Sequence, residues 1–149
     1  MTTPLRVRPL LQRKLISLAS YLDELDATLP ATVTAYAADS TVRRAVERLV
    51  QVVVEAAMDA GDLLLAEEGR MVGETAREIF EALHTAGVID DALRRRFAYE
   101  HCALRNRIVH DYDELDNAVV WQAARQLVPD GRALAAALTA RLAASPPSP

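Results

Sequence analysis

The chain has 149 residues, of which 51% are hydrophobic and 26% are charged, and its formal net charge is −4. This length supports one domain with a proper core and is too short for two comfortable domains. The acidic balance excludes a protein that coats nucleic acid through general basicity. The single cysteine, Cys102, excludes an intramolecular disulfide and a cysteine-based zinc cage, which fits a reducing compartment. No apolar run reaches the length of a membrane span, and the N-terminus lacks the apolar core of a signal peptide, so we expect a cytoplasmic protein.

The composition predicts an all-α fold, because glycine and proline are sparse while alanine and leucine are abundant. Pro9 suits the first turn of a first helix, and Pro30 ends that helix. A leucine stripe follows one face of it at alternating spacings of four and three residues: Leu11, Leu15, Leu18, Leu22, Leu25 and Leu29. The stripe predicts burial against other helices in a bundle, and the alternative is a coiled-coil seam with a partner.

Residues 32–38 are predicted to form a short helical turn, after which Asp39 or Ser40 caps a long second helix. This helix is predicted to run to about Glu68 and to end at Gly69, which makes it about 45 Å long. Its predicted core positions are Val42, Val46, Leu49, Val53, Ala56, Ala60 and Leu63. A third helix over residues 74–86 is predicted to end at Gly87 and to turn three residues inward, Ile79, Phe80 and Leu83.

Asp90 is predicted to cap a fourth helix. The buried face of this helix is predicted to carry Leu93, Phe97, Leu104 and Ile108. A fifth helix is predicted to start near Asp113, with Leu115, Val119, Ala123 and Leu127 inward. The turn signal of residues 129–131 predicts a break before a last helix over residues 132–143. A single domain of residues 1–144 is then expected to be followed by a disordered tail, residues 145–149.

Residues 105–112, Arg-Asn-Arg-Ile-Val-His-Asp-Tyr, concentrate groups suited to chemistry at neutral pH. An arginine keeps its charge and presents a fork of donors to phosphate oxygens, whereas a histidine gives or takes a proton near pH 7. Together Arg105 and His110 suit phosphodiester cleavage without a metal. The alternative is structural: Arg105 and His110 would stabilise a helix C-terminus, and Tyr112 would cover the core with its hydroxyl in water.

The charge around this stretch is also positive, since residues 94–110 contain five arginines against one glutamate, Glu100. Such a region attracts a phosphate backbone, and Arg107 is a candidate for RNA binding. The alternative for residues 94–96, Arg-Arg-Arg, is a solvated helix face. A metal site is not expected at His84, His101 and Cys102, because adjacent residues on a helix diverge by about 100°. No glycine-rich phosphate loop is present, so no cofactor is expected.

The spacing R-x-x-x-x-H-x-Y at Arg105, His110 and Tyr112 resembles the signature of the HEPN superfamily and of its HepT-like toxin branch. The segments Glu-Arg-Leu-Val at residues 47–50 and Ile-Phe-Glu-Ala-Leu at residues 79–83 resemble HepT-like segments in order and spacing. The resemblance covers about residues 8–143. It implies an antiparallel HEPN-type bundle of five to six helices and a metal-independent endoribonuclease.

The resemblance also implies roles for single residues. Arg105 and His110 would be catalytic, Asn106 would support them, and Tyr112 would be the acceptor for AMP. The nucleotide would come from an MNT-type nucleotidyltransferase antitoxin, which would make this chain the toxin of a type VII-like toxin-antitoxin system. The competing interpretation is a helical binding module that docks such a partner or a nucleotide and cleaves nothing.

On one regular helix, Arg105 and His110 would point about 140° apart, which is too far for a common target. Two arrangements resolve this. The helix ends near Val109 so that His110 turns away, or a second copy of the chain contributes its motif across a two-fold axis. A single histidine also cannot act as base and acid at the same instant, so a homodimer with both motifs in one cleft is expected.

Overall fold

The computed structural model describes residues 6–70, 73–110 and 115–144, and it contains no strand within these ranges. The α-helices are α1 (Val7–Thr28), α2 (Val33–Ala38), α3 (Ser40–Glu67), α4 (Ala76–Thr85), α5 (Asp91–Arg95), α6 (Cys102–His110) and α7 (Asn117–Ala144). A π-helical segment, Arg96–His101, joins α5 to α6 without a break. The all-α bundle is therefore confirmed, with six helical rods when α5, the π segment and α6 count as one.

The leucine stripe of α1 lies in the bundle core. Leu11, Leu18, Leu22 and Leu25 are buried, and Leu15 and Leu29 pack against the core while partly exposed. They face α3 and α7, the helices that α1 contacts most. Burial of each such side chain contributes about 1.5–3 kcal/mol relative to exposure. The structure thus supports the bundle interpretation of the stripe.

Helices α3 and α7 are the longest α-helices described, at 28 residues each. Asp39 caps α3, since its Oδ1 accepts hydrogen bonds from the amides of Thr41 and Val42. Gly69 ends it with a φ of +68°, a left-handed conformation that glycine adopts without steric cost. The buried face lies slightly to one side of the predicted stripe and comprises Val46, Val50, Val53, Val54, Ala56, Ala57, Ala60, Gly61, Leu64 and Leu65.

Helix α4 begins with a capping box between Thr75 and Glu78 and buries Ile79, Phe80 and Leu83 as predicted. Asp90 caps α5 through a 2.8 Å hydrogen bond from the Leu93 amide to its Oδ1. The predicted inward residues of the fourth helix, Leu93, Phe97, Leu104 and Ile108, are all buried. Their helix contacts α3, α4 and α7, so the candidate motif is held on several sides.

The predicted break at residues 129–131 is wrong, because α7 runs from Asn117 to Ala144 with Pro129 inside it. An internal proline costs a helix about 3 kcal/mol, so packing must outweigh that cost. Gly131 lies so close to α1 that an added Cβ would come within 2.5 Å of Leu22 Cδ2. Asp130 is buried as well. These two residues belong to the interface between helices and not to a turn.

The start and the register of α7 also differ from the prediction. Asp116 caps the helix, since its Oδ1 accepts hydrogen bonds from the amides of Ala118 and Val119. Val119 is 49% exposed, whereas Val120 and Ala124 are buried, so the buried face begins one residue later than predicted. Among the described residues, no helix combines the length and the apolar character that crossing a membrane requires.

Candidate active site

Helix α6 presents the motif residues on its outer side. Leu104 and Ile108 anchor it in the core, and at four-residue spacing they define one buried face. Arg105 is half-buried beside that face, whereas Asn106, Arg107 and His110 are exposed. The helix therefore holds one motif arginine against the protein and leaves the other polar groups open to a large ligand.

Arg105 is fixed by two neighbours. Its Nη2 lies 3.4 Å from Oε1 of Glu55 on α3, and its Nη1 donates a 2.8 Å hydrogen bond to Oδ1 of Asn106. Glu55 in turn accepts a 3.2 Å hydrogen bond from Gln51 Nε2. The Nε atom of Arg105 is buried and has no partner among the described residues. The guanidinium is thus oriented before any ligand binds, and it retains N–H donors for a phosphate.

His110 is the last residue of α6 and is exposed. Helix α6 therefore runs one residue beyond the predicted end near Val109. On a regular helix the directions of Arg105 and His110 remain about 140° apart. This geometry does not bring the two side chains to one point within a single chain.

Two of the arginines upstream of the motif are engaged in ion pairs. Arg94 binds Glu81 at 2.8 Å and Asp91 at 2.7 Å, and its hydrogen bond to Asp91 lowers the pKa of that carboxyl. Arg96 binds the carboxylate of Asp130 at 2.8 Å. Arg95 and Arg107 are exposed and have no ion pair with the part of the chain that the structure describes. The positive field is therefore weaker than the sequence suggests and is concentrated on fewer side chains.

A buried polar cluster lies one turn before Arg105, and sequence analysis did not identify it. Asp130 is 3% exposed and His101 is 2% exposed, and His101 Nε2 lies 2.8 Å from Asp130 Oδ2. Arg96 and Gln126 complete the cluster. Burial acts to raise the pKa of Asp130, but the hydrogen bonds from His101, Arg96 and Gln126 outweigh it and lower that pKa.

One sequence signal pointed to this cluster. Asp130 lies three residues after Leu127 and four before Leu134, which are core positions if α7 is continuous. The apparent turn signal of residues 129–131 favoured a break in the helix, so Asp130 was not predicted to face the core. A groove of about 620 Å³ borders the cluster and is lined by Arg96, Glu100, His101, Val119, Gln122 and Gln126 among others.

The sequence profile of the protein family described as Ribonuclease HepT-like matches residues 18–138. The chain belongs to the HepT-like ribonuclease family. A protein named tRNA nuclease HepT, from Aphanizomenon flos-aquae (strain 2012/KM1/D3), is 28% identical over 114 residues, which are 76% of this chain and 77% of that protein. A chain in a crystal structure of a toxin-antitoxin MntA-HpeT mutant shares the fold, with a TM-score of 0.76 at 18% identity, covering 87% of this chain and 97% of that chain.

The residues that match the family contain the whole motif from Arg105 to Tyr112. The structure describes Arg105, Asn106, Arg107 and His110, whereas Tyr112 falls in residues 111–114, outside the described residues. The predicted disordered tail, residues 145–149, also falls outside them. The family resemblance is confirmed, and the roles of the individual residues stay predictions.

Within the described ranges, no three histidine, cysteine, aspartate or glutamate side chains come together in a way that could hold a metal ion. Cys102 is buried, and burial raises the pKa of its thiol to about 11. It packs as a small apolar side chain. His101 is committed to Asp130, as described above.

Proposed function

We propose that this chain is a metal-independent endoribonuclease and the toxin of a type VII-like toxin-antitoxin pair. One observation carries the proposal: in a HepT-like ribonuclease, Arg105 is oriented by Glu55 and Asn106 with donors to spare, on the same helix as an exposed His110. A phosphate-binding cation and a proton carrier are the two groups that RNA cleavage needs without a metal. Because the relative is named a tRNA nuclease, transfer RNA is the first substrate to test.

In the proposed reaction, the 2′-oxygen of the RNA forms a bond to the adjacent phosphorus and the bond from phosphorus to the 5′-oxygen breaks. A histidine accepts the proton of the 2′-hydroxyl, and a protonated histidine supplies a proton to the leaving 5′-oxygen. Arg105 stabilises the extra negative charge on the phosphorane-like transition state. The products are a 2′,3′-cyclic phosphate and a 5′-hydroxyl. Asn106 keeps Arg105 in place, and Arg107 contacts the RNA backbone.

Two histidines are required at once, so we propose a homodimer whose shared cleft contains both copies of the motif. The divergence of Arg105 and His110 on α6 supports it, because a second chain brings the missing group to each Arg105. The exposed side of α6 includes Val109, which is 37% exposed, beside His110. An apolar side chain between exposed polar groups suits contact with another protein surface.

We further propose that an MNT-type nucleotidyltransferase antitoxin inactivates the chain by transferring AMP from ATP to Tyr112. The phenolic oxygen would form a bond to the α-phosphorus while pyrophosphate leaves and the phenolic proton is lost. The added phosphodiester carries negative charge a few residues from Arg105 and Arg107, where RNA phosphate must bind. Intact-mass spectrometry after incubation with antitoxin and ATP should show added AMP in the wild type and none in Tyr112→Phe. Equal modification of both would place the acceptor elsewhere.

The test of the nuclease is cleavage of purified transfer RNA by the wild type, Arg105→Ala and His110→Ala. Each substitution should lower the cleavage rate by about 10²–10⁴-fold while the helical circular dichroism signal is retained, because neither side chain belongs to the core. Arg13→Ala is the matched control, since it removes an exposed arginine from α1. The competing function, a binding module that docks a partner or a nucleotide, predicts that the wild type leaves RNA intact.

A further inference from the structure

The described core contains two buried polar or charged residues, His101 and Asp130, and they bind each other. They come from different elements, the π segment and the middle of α7, and are 29 positions apart in sequence. Burying a carboxylate is costly unless several donors satisfy it. A buried pair of this kind is weak evidence for stability and is better suited to fixing one geometry.

Asp130 holds the π segment at both of its ends. Its Oδ2 accepts hydrogen bonds from Nε of Arg96 and from Nε2 of His101, each at 2.8 Å. Arg96 is the first residue of the segment and His101 is the last. Gln126, one turn earlier on α7, donates a 3.0 Å hydrogen bond to Oδ1. The Asp130 carboxylate on α7 therefore contacts both ends of the π segment.

The π segment is wider than a turn of α-helix, and it sets the direction of every side chain that follows it in α6. The Cys102 amide bonds to the carbonyl of Phe97, five residues back instead of four. One residue more or fewer in this turn would rotate α6 by about 100°. Arg105 comes four residues after His101, so the two side chains lie on nearly the same face, about 40° apart. Helix α6 has only nine residues and buries Cys102, Leu104 and Ile108, so these few core contacts fix its rotation together with the contacts that hold its start.

We propose that Asp130 is a positioning residue: by clamping Arg96 and His101 it fixes the rotation of α6 and so aims Arg105 and His110 at the RNA phosphate. This inference rests on the proposed ribonuclease function. Asp130 itself does not touch substrate in this proposal. It acts through the helix, and its removal leaves the motif residues present but misdirected.

The test uses Asp130→Asn, which keeps the size of the side chain but removes its negative charge and one of the two acceptor oxygens that Arg96, His101 and Gln126 share. Asp23→Asn is the matched control, because Asp23 also ties α7 to another helix, through a 3.1 Å hydrogen bond from Arg132, but at the exposed surface. Leu138→Ala is the second control, since it creates a cavity under the same helix α7 without touching the clamp. Arg96→Lys is a milder variant that removes the Nε donor of a partly exposed residue.

All proteins are assayed at a temperature where circular dichroism shows them folded. For Asp130→Asn the kcat for transfer RNA cleavage should fall by about 10- to 100-fold, the range that small misplacements of catalytic groups produce, while KM changes little. Arg96→Lys should show a smaller fall, and both controls should keep the wild-type kcat. Wild-type kcat in Asp130→Asn, or an equal loss in Leu138→Ala, would overturn the proposal.

Hydrogen exchange separates this proposal from the proposed function. Amides of Cys102–His110 should exchange faster in Asp130→Asn than in the wild type, whereas in Leu138→Ala they should change only as much as the rest of the core. If the wild type cleaves no RNA, the ribonuclease proposal fails, and exchange still reports whether the clamp holds α6. Unchanged exchange across Cys102–His110 in Asp130→Asn would overturn the clamp itself.

Discussion

The guanidinium of Arg105 lies 3.4 Å from the carboxylate of Glu55, which joins the motif helix α6 to the long helix α3. The contact is partly exposed, with side-chain exposures of 27% and 37%, so its contribution to stability is small, about 0–1 kcal/mol. The main effect of the contact is to orient the guanidinium of Arg105. Glu55 holds one edge of the guanidinium and leaves the rest of it open to a ligand.

Glu55→Ala should therefore lower kcat/KM for RNA cleavage by about 3- to 10-fold, a loss of about 1 kcal/mol of transition-state stabilisation. Glu55→Gln should retain most of the activity, because the amide oxygen still accepts a hydrogen bond from Arg105. Steady-state kinetics on transfer RNA with both variants gives the comparison. Full activity in Glu55→Ala would show that Arg105 needs no support from α3.

The local pattern of the sequence predicts the helices and their ends well. The leucines of α1 repeat at helical spacing and are buried, and Asp39 and Gly69 begin and end α3 because capping chemistry acts over only a few residues. The motif residues were also identifiable, since they are close in sequence and resemble a family. These features depend on neighbours in the chain, which a sequence displays directly.

Long-range contacts account for what the sequence did not predict. Pro129 continues a helix because Asp130 and Gly131 pack against other elements. The hydrogen bonds of Asp130 to His101 and Arg96, and the contact between Arg105 and Glu55, join positions 29 to 50 residues apart. No local spacing encodes such pairs, so the turn signal at residues 129–131 predicted a break where the helix continues, and no pattern indicated the π segment or these contacts.

Acid should weaken the hydrogen bonds that Asp130 accepts from Arg96 and His101. The folded-state pKa of Asp130 is lowered, so the carboxylate contributes stability that is present above its unfolded pKa of about 3.9 and is lost as the pH falls through the folded value. Asp130→Asn should cost about 1–3 kcal/mol at pH 7, and the difference from the wild type should shrink below about pH 4. Urea unfolding at pH 7 and pH 3 measures it. If wild type and Asp130→Asn differ in unfolding free energy by the same amount at both pH values, the pKa of Asp130 is not lowered in the folded protein.

Tyr36 is fully buried, and its hydroxyl has no hydrogen-bond partner among the described residues. Burial, with a smaller effect from Glu47, raises its pKa to about 12. Removing an unsatisfied hydroxyl should not destabilise, so Tyr36→Phe should have unchanged or higher stability, by about 0–1 kcal/mol. Urea unfolding at pH 7 gives the free energy. A loss of more than about 1 kcal/mol would reveal a hydrogen bond to this hydroxyl.

The shared cleft predicts that an inactive chain silences its wild-type partner, because a mixed dimer keeps only one of the two histidines that the reaction requires. Wild type and His110→Ala, unfolded and refolded together in equal amounts, should give about a quarter of the cleavage of the same total amount of wild type alone, since about a quarter of the dimers contain two wild-type chains. Native mass spectrometry confirms that mixed dimers formed. Cleavage at about half of the wild-type level would place both groups of a site on one chain.

The chemistry of the cut ends distinguishes metal-independent cleavage through the 2′-hydroxyl from hydrolysis that needs a metal ion. Transfer RNA is incubated with the protein in excess chelator, and the termini are identified by mass spectrometry of the fragments. The account predicts 2′,3′-cyclic phosphate and 5′-hydroxyl ends, with the rate lowered by about 10²–10⁴-fold in His110→Ala. Ends that carry a 5′-phosphate, or cleavage that stops in chelator and returns with a divalent ion, would contradict it.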